Sequence, residues 1–270
     1  MSFADWPAPA APAPKSRIPE ALRSITALVL REMSTRYGRT PGGYVWALLE
    51  PMGMILLLSF AWSLLAKAPT LGTSFLLFKA TGFLVLQMVM VNAKQVGGAM
   101  LFSRPLLFYP RVTWLDAILA RFILNTLVVG LVAAIILTGI MLYEDVNTVL
   151  NFPRILLAMV LAALLGLSVG ILNCYLFQRI PVWQQIWGVA TRPMFLISGV
   201  IFVYEDLPQM GKQVLWYNPV LHLTGIMRDG FYPLYHPTYI SGVYLGLWIA
   251  LPMLLGLLLL RQFHRDLLNM

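Results

Sequence analysis

Residues 155–177 read ILLAMVLAALLGLSVGILNCYLF, a run without one charged side chain. At 1.5 Å per residue such a run, coiled as a helix, crosses about 30 Å of hydrocarbon. Five further stretches have the same character: 44–66, 73–93, 115–142, 182–203 and 239–260. Within lipid only helices and closed barrels satisfy every backbone polar group, and these runs lack the period-2 alternation of barrel strands. The chain is therefore expected to be an all-α integral membrane protein with six transmembrane helices. Composition agrees: 59% of its 270 residues are hydrophobic and 11% are charged, against roughly a quarter charged in soluble domains. Little chain remains for a separate soluble domain.

The net charge of +8 is a matter of placement. One side of the spans holds Lys15, Arg17, Arg23, Arg31, Arg36 and Arg39, then Lys94, Arg104, Arg111, Arg121, Arg179, Arg261 and Arg265. The other holds only Lys67, Lys79, Arg154, Lys212 and Arg228, with Arg192 inside a span. The positive-inside rule puts both termini in the cytoplasm. No basic–aromatic module accompanies the charge, so nucleic acid is not an expected partner. Cys174 is the lone cysteine, and His222, His236 and His264 lie far apart, which leaves no disulfide and no metal framework.

Residues 1–18, with PAPAAPAP at 7–14, read as a disordered cytoplasmic tail. Across 19–43, Leu22, Ile25, Val29, Met33 and Tyr37 recur at helical spacing with Arg23, Arg31 and Arg36 between them. That is a basic amphipathic helix lying in the membrane interface. The cytoplasmic segment 99–114 is too interrupted to cross, yet oily for a loop, and suggests a short helix pressed against something. Residues 204–238 are outside by topology and equally oily, broken by Pro208, Pro219, Pro233 and Pro237. They are expected to form re-entrant periplasmic helices. The last segment, 239–260, returns the chain to the cytoplasm.

Charges at membrane depth are expensive and mark functional or buried positions. Glu50 and Arg192 each directly precede a proline, Pro51 and Pro193. Singly or as a pair, they face a transport path or a subunit seam, or else they form a buried ion pair between two helices. Lys79 near the outer end of span two reads as structural, its stem snorkelling. Asp116 and Arg121 read as membrane-interface residues. No phosphate loop, zinc-protease helix or nucleophile elbow is present, so no catalytic residue, metal or bound cofactor is expected. Energy for any uphill transport must enter through a partner. Aromatics suggest a conduit. Trp183 and Trp187 share a helix face, Phe60 and Trp62 lie in span one, and Phe195, Phe202 and Tyr204 follow span five. Such rings stack on the apolar faces of sugars; they equally suit a lipid-facing belt. Tyr44 and Trp46 stand at the start of span one, at a headgroup boundary.

Arg31-Glu32-Met33-Ser34-Thr35-Arg36-Tyr37-Gly38-Arg39, with Gly43-Tyr44-Val45-Trp46-Ala47-Leu48-Leu49-Glu50-Pro51, carries a resemblance. Leu101-Phe102, Arg104-Pro105, Ala120-Arg121 and Asn218-Pro219-Val220-Leu221-His222 extend it. From about residue 20 onward the chain resembles the permease subunits of ABC-2 type exporters, most of all the bacterial capsular-polysaccharide permeases of the KpsM family. The resemblance implies a homodimer in the bacterial inner membrane carrying two copies of a separate, KpsT-like ATPase, which binds the ATP and magnesium. It implies export of a lipid-linked polysaccharide, with a periplasmic adaptor and an outer-membrane export protein as further partners. Residues 101–111 become the coupling helix, with Phe102, Arg104 and Phe108 contacting the ATPase beside Arg31 and Arg36 of the interface helix. Spans one and five supply most of the channel wall, with Tyr44, Trp46, Glu50, Phe60, Trp62, Trp183, Trp187, Arg192 and Phe195 as pathway candidates. Trp216, Tyr217 and His222 become candidates for a periplasmic gate. Rival readings are the same machine with another cargo (O-antigen, teichoic acid or a drug), a secondary transporter, or a membrane-embedded transferase.

Overall fold

The computed structural model describes residues 17–36, 42–107, 112–145 and 149–269, and among these the regular elements are all helical. Expectations for the tail before residue 17, for 37–41 and for 108–111, Phe108 included, lie outside the described residues. The elements are α1 (Arg17–Arg36), α2 (Gly43–Leu65), α3 (Phe75–Gly97), α4 (Ala99–Leu107), α5 (Trp114–Tyr143), α6 (Phe152–Arg179), α7 (Trp183–Ala190), α8 (Met194–Ile197), α9 (Gln209–Leu215), α10 (Pro219–Phe231) and α11 (Gly242–Asn269).

Five of them, α2, α3, α5, α6 and α11, are long and apolar enough to cross a membrane. At α3, α5 and α6 the starts are written in short polar residues that satisfy orphan N–H groups of the first turn. Ser74 Oγ accepts from Leu77 N (2.8 Å), and Asn151 Oδ1 accepts from Arg154 N (3.3 Å). At α5, Thr113 and Asp116 form a reciprocal capping box, Thr113 N donating to Asp116 Oδ2 at 2.9 Å. Asp116 is thus a capping residue of α5.

The segment 182–203 is not one continuous span. It consists of α7, a turn over 191–193, the short α8, and a turn in which Gly199 takes φ +74°. Pro193 cannot donate to Val189, and a left-handed residue ends a right-handed helix, so the apolar run breaks twice. Pro51 and Pro252, by contrast, sit inside α2 and α11 without ending them.

The core is organised around α6, which packs against α3, α10 and α11. Ala158, Ala162, Gly166, Gly170 and Cys174 recur every four residues and form one buried stripe along it. Small residues at that spacing let backbones approach closely where no water-driven force pulls helices together. A Cβ at Gly166 would lie 2.7 Å from Asn92 Cβ and 2.8 Å from the Val89 carbonyl oxygen of α3. On another face of α6, a Cβ at Gly256 of α11 would lie 2.7 Å from Leu172 N.

Around this spine the flanking helices are bare. α7 buries no residue, and α2 exposes Val45, Leu56, Leu57 and Leu64. Such faces need lipid or protein against them.

Candidate functional site

At the end of the bundle where α1 and α4 lie, one side chain joins three elements. Arg121 of α5, buried, meets Glu32 of α1 at 2.8 Å and donates from Nε to the same carboxylate at 3.1 Å. Its Nη1 donates to the Gln95 carbonyl at the end of α3 (3.1 Å). Its guanidinium lies 4.4 Å over the ring of Phe102 in α4. A planar five-donor fork can make the bidentate pair, the carbonyl bond and the ring contact at once; an ammonium cannot. Arg121 is therefore a buried, fully engaged residue. It ties the amphipathic helix, the predicted coupling helix and two spans together. Glu32 and Arg121 both fall on the cytoplasmic side by sequence, but nothing in the sequence pairs them. Of the other coupling candidates, Arg31 is exposed, Arg104 is half-buried, and the side chain of Arg36 lies outside the described residues.

Glu50 lies beside a cavity of about 320 Å³ between α2, α3 and α5. Trp46, Ala47, Gln87 and Asn125 line it with four valines and Gly43. Gln87 Oε1 is buried with no hydrogen-bond partner among the described residues. Because Pro51 has no N–H, the Ala47 carbonyl lacks its usual partner one turn on. The cavity thus gathers acceptors: a carboxylate, an amide oxygen and a freed carbonyl. Its chemistry suits a donor-rich guest such as a guanidinium or sugar hydroxyls. Glu50 itself is exposed, and so is Arg192 in the turn after α7. No ion pair joins them among the described residues of one subunit.

The aromatic candidates divide. Trp46 and Phe60 are exposed on α2, 61% and 68%. Trp62 instead lies under the Lys79 ammonium, 4.4 Å from its centroid. Trp183 donates from Nε1 to Asn173 Oδ1 of α6 (3.0 Å), Trp187 is half-buried, and Phe195 meets Phe83 edge-on at 6.3 Å. For Tyr44 the side chain lies outside the described residues.

At the opposite end two cations are buried that form no ion pair among the described residues. Lys79 does not snorkel: it is 1% exposed and donates to the Ile201 carbonyl (3.0 Å). Arg228, placed outside by its loop position, is 2% exposed and donates to the Phe202 carbonyl (2.8 Å). Both lie over the Phe78 ring. Together they clasp the turn that follows α8, and Asn218 and Thr224 reinforce it through the Ile197 and Ser198 carbonyls. Sequence reasoning missed both, because topology assigns a charge to a side of the membrane and says nothing of its burial.

Trp216 meets His222, and Tyr217 meets Trp216 edge-on at 5.5 Å. The imidazole is fully buried, with Trp216, Tyr239 and Tyr244 around it at 5.3–5.5 Å between centroids. Its Nε2 faces the Trp216 carbonyl at 2.8 Å, while Nδ1 accepts from Ser241 N at 3.3 Å. Only the neutral ring protonated at Nε2 satisfies both. Burial holds its pKa below the ordinary 6.5, against the pull of the Trp216 carbonyl. An unfolded segment takes up the proton first, so the hairpin's stability is full above that pH and falls as pH drops below it. His222→Phe is expected to cost about 1–3 kcal/mol through the two orphaned backbone groups, read as a lowered unfolding temperature in detergent.

Residues 23–232 match the sequence pattern of the ABC-2 type transporter family. Among curated proteins, the chain is 27% identical to the capsule polysaccharide export inner-membrane protein CtrC of Neisseria meningitidis over 90% of its own length and 92% of the relative's. It is 26% identical to the polysialic acid transport protein KpsM of Escherichia coli, over 88% and 92% of the two chains. With BexB of Haemophilus influenzae, another capsule polysaccharide export inner-membrane protein, the identity is 25% over 90% and 92%. The pattern runs from within α1 through α10 and covers well over half of the chain: this chain belongs to the ABC-2 type transporter family.

Proposed function

We propose that this protein is the membrane permease of an ABC transporter that exports capsular polysaccharide across the bacterial inner membrane. The observation that carries this reading is the near end-to-end match to three exporters of that kind. Two copies of the chain face each other across α2 and α7, whose apolar surfaces are bare in one subunit. Residues 182–203 complete a sixth crossing as a broken segment, α9 and α10 re-enter the outer leaflet, and both termini are cytoplasmic. A separate ATPase, two copies per dimer, binds the ATP and docks on α4 and α1. A periplasmic adaptor and an outer-membrane export protein continue the path. The cargo is a lipid-linked glycan.

In this arrangement the acceptor-rich cavity beside Glu50 meets donors from the guest or from Arg192 of the facing copy. Glu50→Gln and Arg192→Leu are expected to reduce export about tenfold or more, as loss of an intramembrane charge at a transport path should. Capsule on the cell surface is the readout; normal capsule with both variants removes these two residues from the pathway. The function itself is tested by purification in detergent. A P-loop ATPase should accompany the protein in equal amount, and polymer uptake into inverted vesicles should require ATP.

A further inference from the structure

α5 and α6 follow one another in the chain, yet they touch only sparsely along their length. Between them lies a groove of about 900 Å³. Its lining is apolar except for Thr126, whose hydroxyl is already given to Asn92 Oδ1 at 3.3 Å. Along α6 it runs from Phe152 to Leu164, about 18 Å at helical rise, close to the depth of one leaflet, ~15 Å. At the α10 end it continues, through Phe152 and Pro153, into a smaller polar cleft beside Asn151, Asp229 and His236.

Asp229 of that cleft holds a cation, Arg154, beside it. Arg154 follows Pro153, and its side chain is 52% exposed. Asp229, only 14% exposed behind it, takes Arg154 Nε on one oxygen and His236 Nδ1 on the other, both at 3.3 Å. The carboxylate thereby holds the guanidinium beside the cleft. Its two terminal amino groups carry no partner among the described residues. The positive end of the α6 dipole faces the same cleft.

A long apolar slot of leaflet depth, with one half-exposed cation near its mouth, calls for an amphiphile with thin tails and a compact anionic head. A helix about 10 Å across with bulky side chains fits it poorly. We propose that the α5–α6 groove is a binding site for an anionic glycerophospholipid of the bilayer, its acyl chains in the groove and its phosphate on Arg154. The site lies away from α2 and α7 and does not depend on the cargo proposed above.

Native mass spectrometry of the protein, reconstituted in discs of phosphatidylglycerol or of phosphatidylcholine, tests this. Phosphatidylglycerol should survive delipidation as a stoichiometric adduct, and phosphatidylcholine should be lost. Arg154→Ala should lower phosphatidylglycerol retention about tenfold, the worth of a charge-assisted hydrogen bond; Lys67→Ala, on the same side, should not. Gly130→Phe should remove the phosphatidylglycerol adduct. A Cβ there meets nothing nearer than the tip of Met88 at 4.0 Å, so the ring can enter the groove without disturbing the fold. An unchanged unfolding temperature in detergent verifies that. Equal retention of the two lipids, or retention indifferent to Gly130→Phe, overturns the proposal. So does a photoreactive group at position 134 that captures a protein helix instead of lipid.

Discussion

Replacing Arg121 with leucine is expected to abolish capsule export and to loosen the whole α1–α4 end of the protein. The side chains of Arg121 and Glu32 are 7% and 14% exposed, so the variant strands a buried carboxylate. Removing one member of such a pair costs about 3–5 kcal/mol, far more than the pair's net worth. Glu32→Ala should be less damaging, since the guanidinium keeps the Gln95 carbonyl and the Phe102 ring. Arg121→Lys keeps the charge but cannot hold Glu32, the Gln95 carbonyl and the Phe102 ring together, and should fall between. The informative readout is ATP hydrolysis by the copurified complex alongside export. A node that joins the predicted coupling helix to the spans should leave hydrolysis running while export stops. Normal export by the leucine variant would refute that role. Loss of hydrolysis and export together, with an unfolding temperature lowered to match, would reduce Arg121 to a structural rivet.

Gly166→Leu should leave no folded protein to assay. Overpacking a core usually costs about 1–3 kcal/mol because side chains shift to make room. Here the atoms in the way include the Val89 carbonyl oxygen at 2.8 Å and the Met88 carbonyl oxygen at 3.3 Å, and helix backbone does not yield singly. α3 would have to leave α6. The same substitution at Gly139, where nothing lies within 4 Å, should be tolerated. Size-exclusion profiles of the two variants in detergent make the comparison, and a monodisperse Gly166→Leu peak at the wild-type temperature of unfolding would overturn it.

The long crossings were legible because lipid imposes a simple demand. The run 115–142 became Trp114–Tyr143 and 155–177 became Phe152–Arg179. Helix ends were harder: α3 continues to Gly97 and α11 to Asn269, well past 93 and 260. Hydropathy reports where lipid touches a helix, and a helix can outrun its lipid. The break in 182–203 had its marks in Pro193 and Gly199, but proline alone does not decide the matter, since α2 passes through Pro51. Among site residues, Trp216, Tyr217 and His222 do come together, whereas Trp62 and Trp183 have partners inside the subunit. The burial of Lys79 and Arg228 needed tertiary structure. Their acceptors are carbonyls of residues 201 and 202, and a backbone acceptor leaves no trace in side-chain chemistry.

The stripe on α6 also governs how this molecule can move. Where two helices meet backbone to backbone, there is no layer of rotamers to reshuffle and no cushion to shear against. α3 and α6 must then travel as one beam, and α11, seated through Gly256, rides with them. Any opening wide enough for a sugar chain has to be made by parts that are not welded to that beam, which leaves α2 and the twice-broken α7–α8 strut as the hinged panels.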